Sequence, residues 1–165
     1  MTSVKASNWT SLGSGLDLEG RILFADTIAD RLFVGGNFRH SGNNPTNSFA
    51  AWTGVVWDTN YSGMTDQNPV HDIYRFESKL YAGGSFRKAG GKTVNGFTYW
   101  NGLEWDSINI AFHNNGVLSG FSEINSELIC VGSFDSVGLD SSPNIASWDG
   151  FSWNSIGLPH AISGY

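Results

Sequence analysis

The sequence predicts an all-β protein in which one four-stranded antiparallel unit is written three times. Three observations carry this reading. Trp9, Trp57, Trp105 and Trp153 recur every 48 residues without slippage. Trp52, Trp100 and Trp148 keep the same period, as do Phe38, Phe86 and Phe134. Glycine supplies 21 of the 165 residues and only 15% are charged, a composition suited to short strands and tight turns. Strand-like units with a period of about 40–50 residues point to β-propeller blades. The blades span 16–63, 64–111 and 112–159; residues 1–15 hold one extra outer strand around Trp9, and 160–165 form a tail.

Each strand has its own signature. The first is Ile22–Thr27, matched by Val70–Arg75 and Leu118–Glu123. A short polar turn follows: Ala29-Asp30, Glu77-Ser78 or Asn125-Ser126. The second strand reads Leu-Phe-Val-Gly-Gly-Asn-Phe from Leu32, with copies starting at Leu80 and Leu128. Its β-branched and aromatic residues favour a pleated strand, and glycine within a strand marks a bulge or the close approach of another group. A ten-residue loop rich in Gly, Asn, Ser and Pro leads to a third strand ending on a tryptophan.

The third and fourth strands are joined through Trp-x-Gly-x-x-Trp, at 52–57, 100–105 and 148–153. Asn101-Gly102 and Asp149-Gly150 are preferred pairs for a two-residue type I′ turn, whereas Thr53-Gly54 fits it less well. Such a turn pairs Trp100 with Leu103 and Thr98 with Trp105, which makes the two indoles diagonal neighbours on one face. Repeated along the chain, Trp9, Trp52, Trp57, Trp100, Trp105, Trp148 and Trp153 form an aromatic layer that a neighbouring blade would cover. The same indoles could serve as a ligand platform, but a blade needs an apolar face and these residues are the ones able to make it.

The second-strand run, the Gly-rich loop and the sequence Asn-Ile-Ala-Ser-Trp-Asp-Gly-Phe-Ser-Trp from Asn144 resemble repeats of Kelch-type, galactose-oxidase-like propellers. They are similar also to the propeller repeats of fungal cell-cortex marker proteins and of bacterial surface proteins. The resemblance covers residues 8–158 and implies a blade architecture. The chain departs from it at Val131-Gly132, where the other copies have Gly-Gly, and in the span between its aromatic landmarks. Nothing matches the copper ligands or the Cys–Tyr cofactor of galactose oxidase, so no cofactor and no enzymatic activity is implied.

Propellers close with about four to eight blades, and three do not obviously close a ring. Two chains arranged with point-group symmetry would give six. The surplus N-terminal strand would either clasp a partner's last blade or extend an existing one.

Composition narrows the partners. The net charge of −6 argues against broad nucleic-acid binding, and no apolar run is long enough for a membrane helix. The N-terminus lacks the apolar core of a secretory signal, so the protein is made without one or the chain is part of a longer one; localisation is not readable. Without a signal, the Asn8-Trp9-Thr10 and Asn60-Tyr61-Ser62 sequons read as chance matches. Cys130, the single cysteine, lies in an apolar run and reads as core.

Long loops on a rigid scaffold are where binding concentrates. The three Gly-rich loops begin with Arg39-His40, Arg87-Lys88 and Asp135, and the last also carries Asp140. These six residues are candidates for an anion or glycan site, against the plainer reading of a solvated surface. The histidines at 40, 71, 113 and 160 fit no metal-ligand spacing. His71-Asp72 could line a central channel, as a structural pair or, in an enzyme reading, as a site. The expectation is a non-enzymatic binding or assembly module that uses loops of one face for a protein or glycan partner, as in a surface or virion component. The alternative is an oligomerising scaffold without a small ligand.

Overall fold

The computed structural model describes residues 10–17, 21–28, 30–58, 63–64, 66, 68–108 and 116–156. Among them the regular structure is β throughout, with no helix. The first unit runs β1 (Arg21–Ile28), β2 (Arg31–Asn37), a small ribbon β3 (His40–Ser41) and β4 (Asn44–Pro45), then β5 (Phe49–Trp52) and β6 (Trp57–Asp58). The second runs β7 (Val70–Phe76), β8 (Lys79–Gly84), the ribbon β9 (Lys88–Ala89) and β10 (Lys92–Thr93), β11 (Phe97–Trp100) and β12 (Trp105–Ser107). The third runs β13 (Val117–Ile124), β14 (Glu127–Ser133), the ribbon β15 (Ser136–Val137) and β16 (Asp140–Ser141), β17 (Ile145–Trp148) and β18 (Trp153–Ser155). Each unit is a four-stranded antiparallel meander, ordered β1-β2-β5-β6, β7-β8-β11-β12 and β13-β14-β17-β18. The extra outer strand expected around Trp9, and His113 and His160, lie outside the described residues.

The first strands of the units lie side by side, β1 against β7 and β7 against β13. Each carries a register shift at the same place, between Ile22 and Phe24, Val70 and Asp72, and Leu118 and Gly120. The extra residues, Leu23, His71 and Ser119, are therefore bulged.

Side-chain alternation gives each sheet two apolar faces, and the cores lie between sheets. Phe33, Phe49 and Ala51 of the first pack with Ile73, Leu80, Ala82 and Trp105 of the second. Tyr81 and Phe97 of the second pack with Leu128, Cys130, Ala146 and Trp148 of the third. The remaining face of the first sheet, with Val34, Ala50, Trp52 and Trp57, is met by the N-terminal segment: Leu16 packs on it, and the Trp57 indole donates to the Leu12 carbonyl at 3.2 Å.

Glycine placement follows these junctions. A side chain at Gly83 would come within 2.7 Å of the Phe121 ring from the next sheet. At the matching position of the third sheet stands Val131, 39% exposed, on a face that no described residue covers. The sequence departure at Val131 thus falls where no neighbouring ring needs the space.

One expectation is corrected. The Trp hairpins do not have two-residue type I′ turns. Trp100 lies directly opposite Trp105, Trp52 opposite Trp57 and Trp148 opposite Trp153, across four-residue loops. In each loop only the glycine has positive φ: Gly54 at 95°, Gly102 at 102° and Gly150 at 98°. The residue before it folds the loop with its side chain. Asn101 Oδ1 accepts the N–H groups of Leu103 and Glu104 at 2.9 and 3.0 Å, and Asp149 Oδ1 those of Phe151 and Ser152 at 2.8 and 2.7 Å. Thr53 Oγ1 does the same for Val56 at 3.1 Å, so Thr53-Gly54 makes the same turn as its counterparts. Two positive φ values, the type I′ requirement, occur instead at Asn125 (50°) and Ser126 (62°), between β13 and β14. Within the Gly-rich loops the chain pairs with itself as the two-stranded ribbons given above.

Candidate functional site

The ribbons and the segments entering the first two units lie together. Leu16 bridges to Ser41 and Met64 to Ala89. Asp17 Oδ2 accepts the Arg39 N–H at 2.8 Å and its other oxygen lies 3.3 Å from His40 Nδ1. Asp66 accepts the Arg87 N–H in the equivalent place. The main chain at Arg39 and Arg87 is thus held by a carboxylate that lies outside the loop in sequence. The Arg87 guanidinium reaches the Gly116 carbonyl at 3.2 Å and so joins the second unit to the third. Its position is structural as well as superficial. Lys88, Asp135 and Asp140 are exposed, and the Asp135 carbonyl closes its ribbon by accepting Ser142 N–H at 3.0 Å. Asp17 and Asp66 were missed as partners of these loops, although each carboxylate stands a similar distance ahead of its arginine.

The bulged residues face an open depression of ≈ 520 Å³, lined by Leu23, Asn37, Pro69, His71 and Ser119. His71 Nδ1 lies 2.9 Å from the Leu118 carbonyl, which can only accept, so the ring proton sits on Nδ1. Nε2 then accepts from the Ser85 hydroxyl at 3.3 Å. Asp72 turns elsewhere: its Oδ2 accepts the Phe121 N–H at 2.8 Å and its Oδ1 the Ile73 N–H at 2.9 Å. Burial pushes the Asp72 carboxyl above the ordinary carboxylate range, with repulsion from Asp26 adding to it and the two N–H donors opposing it. His71 and Asp72 therefore do not form a pair with each other. Each spans from the second sheet to the main chain of the third.

A second opening lies at the opposite end of the sheets, among the β1–β2 and β11–β12 turns. It is a groove of ≈ 210 Å³ between the first two sheets, lined by Ile28, Arg31 and Phe33 on one side and Arg75, Leu80, Trp100 and Asn101 on the other. Arg31 is ion-paired to Asp58. A related hollow on the other face of the first sheet, beside the patch that Leu12 and Leu16 meet, is lined by Thr27, Asp30, Arg31, Leu32, Trp52 and Gly54. Each of those positions is one repeat before a residue lining the second sheet's side of the groove.

The aromatic layer is distributed unevenly. Trp105 is 1% and Trp148 6% exposed, while Trp52, Trp100 and Trp153 are half-buried. The cross-strand indole pairs have centroids 5.3 Å (Trp52–Trp57), 5.6 Å (Trp100–Trp105) and 5.3 Å (Trp148–Trp153) apart. Among the described residues no three His, Cys, Asp or Glu side chains gather as metal ligands. No family model matches the chain, and no curated protein sequence matches it.

Proposed function

We propose that the three sheets are β-propeller blades, akin to Kelch-type repeats, that a second copy of the chain completes the ring, and that the assembly is a non-enzymatic binding module presenting its ribbons to a protein or glycan partner. One observation carries the assembly: the hollow on the first sheet repeats, position for position, the second sheet's half of an inter-sheet groove. It is half of a junction. The third sheet offers the complementary half, with Ile124 59% exposed and Val131 beside the half-buried Ile129 and Ile145. Exposed contiguous apolar faces of this kind are uncommon on soluble monomers. At the new junction Glu127 takes the place that Arg31 holds at the first. That sets a carboxylate near the partner's Arg31-bearing edge, a complementary arrangement. The ribbons, the first two held by Asp17 and Asp66, then lie along one rim. Light scattering tests the assembly: a mass of two chains is expected at micromolar concentration, and Val131→Glu should reduce it to one. A stable monomer of the unaltered chain overturns the ring.

A further inference from the structure

We propose that the groove between the first and second sheets binds a carboxylated sugar unit, such as a hexuronate residue of an acidic polysaccharide. This groove differs from its repeat counterpart between the second and third sheets.

At four matching positions the second junction is closed and acidic, and the first is open and basic. Ile28 of the first junction is replaced by Phe76 in the second, where the larger ring is buried and fills the space. Phe33 is replaced by Tyr81, whose hydroxyl accepts the Trp148 indole N–H at 3.3 Å and draws Trp148 into the core. Phe33 carries no hydroxyl, and Trp100 remains half-buried along the groove. Arg75 is replaced by Glu123, and Asn101 by Asp149. So the second junction sets Lys79 opposite Glu123, whereas the first sets Arg31 opposite Arg75. Asp58 already serves Arg31, so the added positive charge across the groove is that of Arg75, which makes no ion pair among the described residues and favours an anion beside it. Lys79 also borders the groove, but its ammonium lies over the Tyr99 ring, 4.6 Å from the centroid, and is directed to the second junction.

The shape selects among anions. Asp58 holds the Arg31 guanidinium in place, so its orientation is set before a ligand arrives. Arg31 and Arg75 suit a carboxylate, which guanidinium groups bind through paired N–H donors. Ile28, Phe33, Leu80 and Trp100 form apolar walls that a bare phosphate would not use. The indole offers a π-face to the C–H side of a sugar ring, and Asn101 and Ser78 offer hydrogen bonds to hydroxyls. A volume of ≈ 210 Å³ accommodates one sugar ring. The site is built within a single chain, at the end opposite the ribbons, and does not depend on the ring.

Titration of the full chain with glucuronate, glucose and inorganic phosphate, followed by tryptophan fluorescence and amide chemical shifts, tests this. Glucuronate should saturate, with glucose and phosphate each about tenfold weaker or more. Arg75→Glu, at an exposed position, should abolish the glucuronate response while leaving the unfolding temperature and solution mass unchanged. Ile28→Phe, which copies the second junction, should abolish it without loss of stability. The proposal is overturned if glucuronate does not saturate, if phosphate binds as well as glucuronate, or if binding survives both substitutions. None of those results bears on the ring, which is read from mass alone.

Discussion

The Trp105 indole meets the Phe49 ring edge-on across the first junction, with centroids 5.2 Å apart and planes at 86°. Trp153 repeats the contact on Phe97 at 5.1 Å. In each case an outer-strand tryptophan packs on the third strand of the preceding sheet. Trp105→Ala should therefore remove both a within-sheet and a between-sheet contact, at about 3–5 kcal/mol. Trp100→Ala, at a half-buried indole, should destabilise by less. Urea unfolding of both variants checks the order.

The Trp hairpins give a second expectation. Gly102 has φ of 102° with open space around it, so Gly102→Val should destabilise by about 1–2 kcal/mol through backbone strain alone. Asn101→Ala should destabilise by about 1 kcal/mol through loss of its two main-chain hydrogen bonds. Asn101→Asp should largely keep them, because Asp149 already makes the same turn. Thermal unfolding of the three variants is the measurement.

One substitution should stabilise. Ser48 has φ of 68°, and its buried hydroxyl has no hydrogen-bond partner among the described residues. The matching residue of the second unit is Gly96, with φ of 80°. Ser48→Gly should gain about 1 kcal/mol by relieving the left-handed conformation and removing a desolvated hydroxyl. An unchanged or lowered unfolding midpoint would count against this account of the loop.

Asp72 gives a pH dependence. Its carboxyl is raised by burial in the folded protein, so the native state holds the proton more tightly than the unfolded chain. The stability from this group is present below the unfolded carboxylate value and is lost as pH rises through the native one. Unaltered protein should thus gain on Asp72→Asn as pH falls from neutral toward about 4. Urea midpoints of the two proteins at several pH values test it, and the opposite slope would refute it.

The strand order and the aromatic positions were legible because the repeat writes them three times at fixed spacing. Hairpin register was not. Asn-Gly begins both a type I′ turn and a longer loop folded by the Asn side chain, and only the carboxamide contacts to Leu103 and Glu104 separate them. The loop-start residues were legible as candidates, but not the role of Arg87, because its Gly116 contact joins two units. For the same reason Arg31 and Arg75 were passed over. They come from different copies, and what they face depends on how two sheets meet.

The second sheet alone has both faces covered by other sheets, with Phe49 and Trp105 at one junction and Phe97 and Trp153 at the other. Units that touch only their neighbours unfold from the ends, as a row rather than as a sphere. In the single chain, before any partner covers the third sheet, hydrogen exchange should therefore be slowest along β8, faster in β2 and fastest in β14, one face of whose sheet no described residue covers. The middle unit holds the chain's kinetic memory of its fold: the outer two can open and reclose on it, while its own opening releases both.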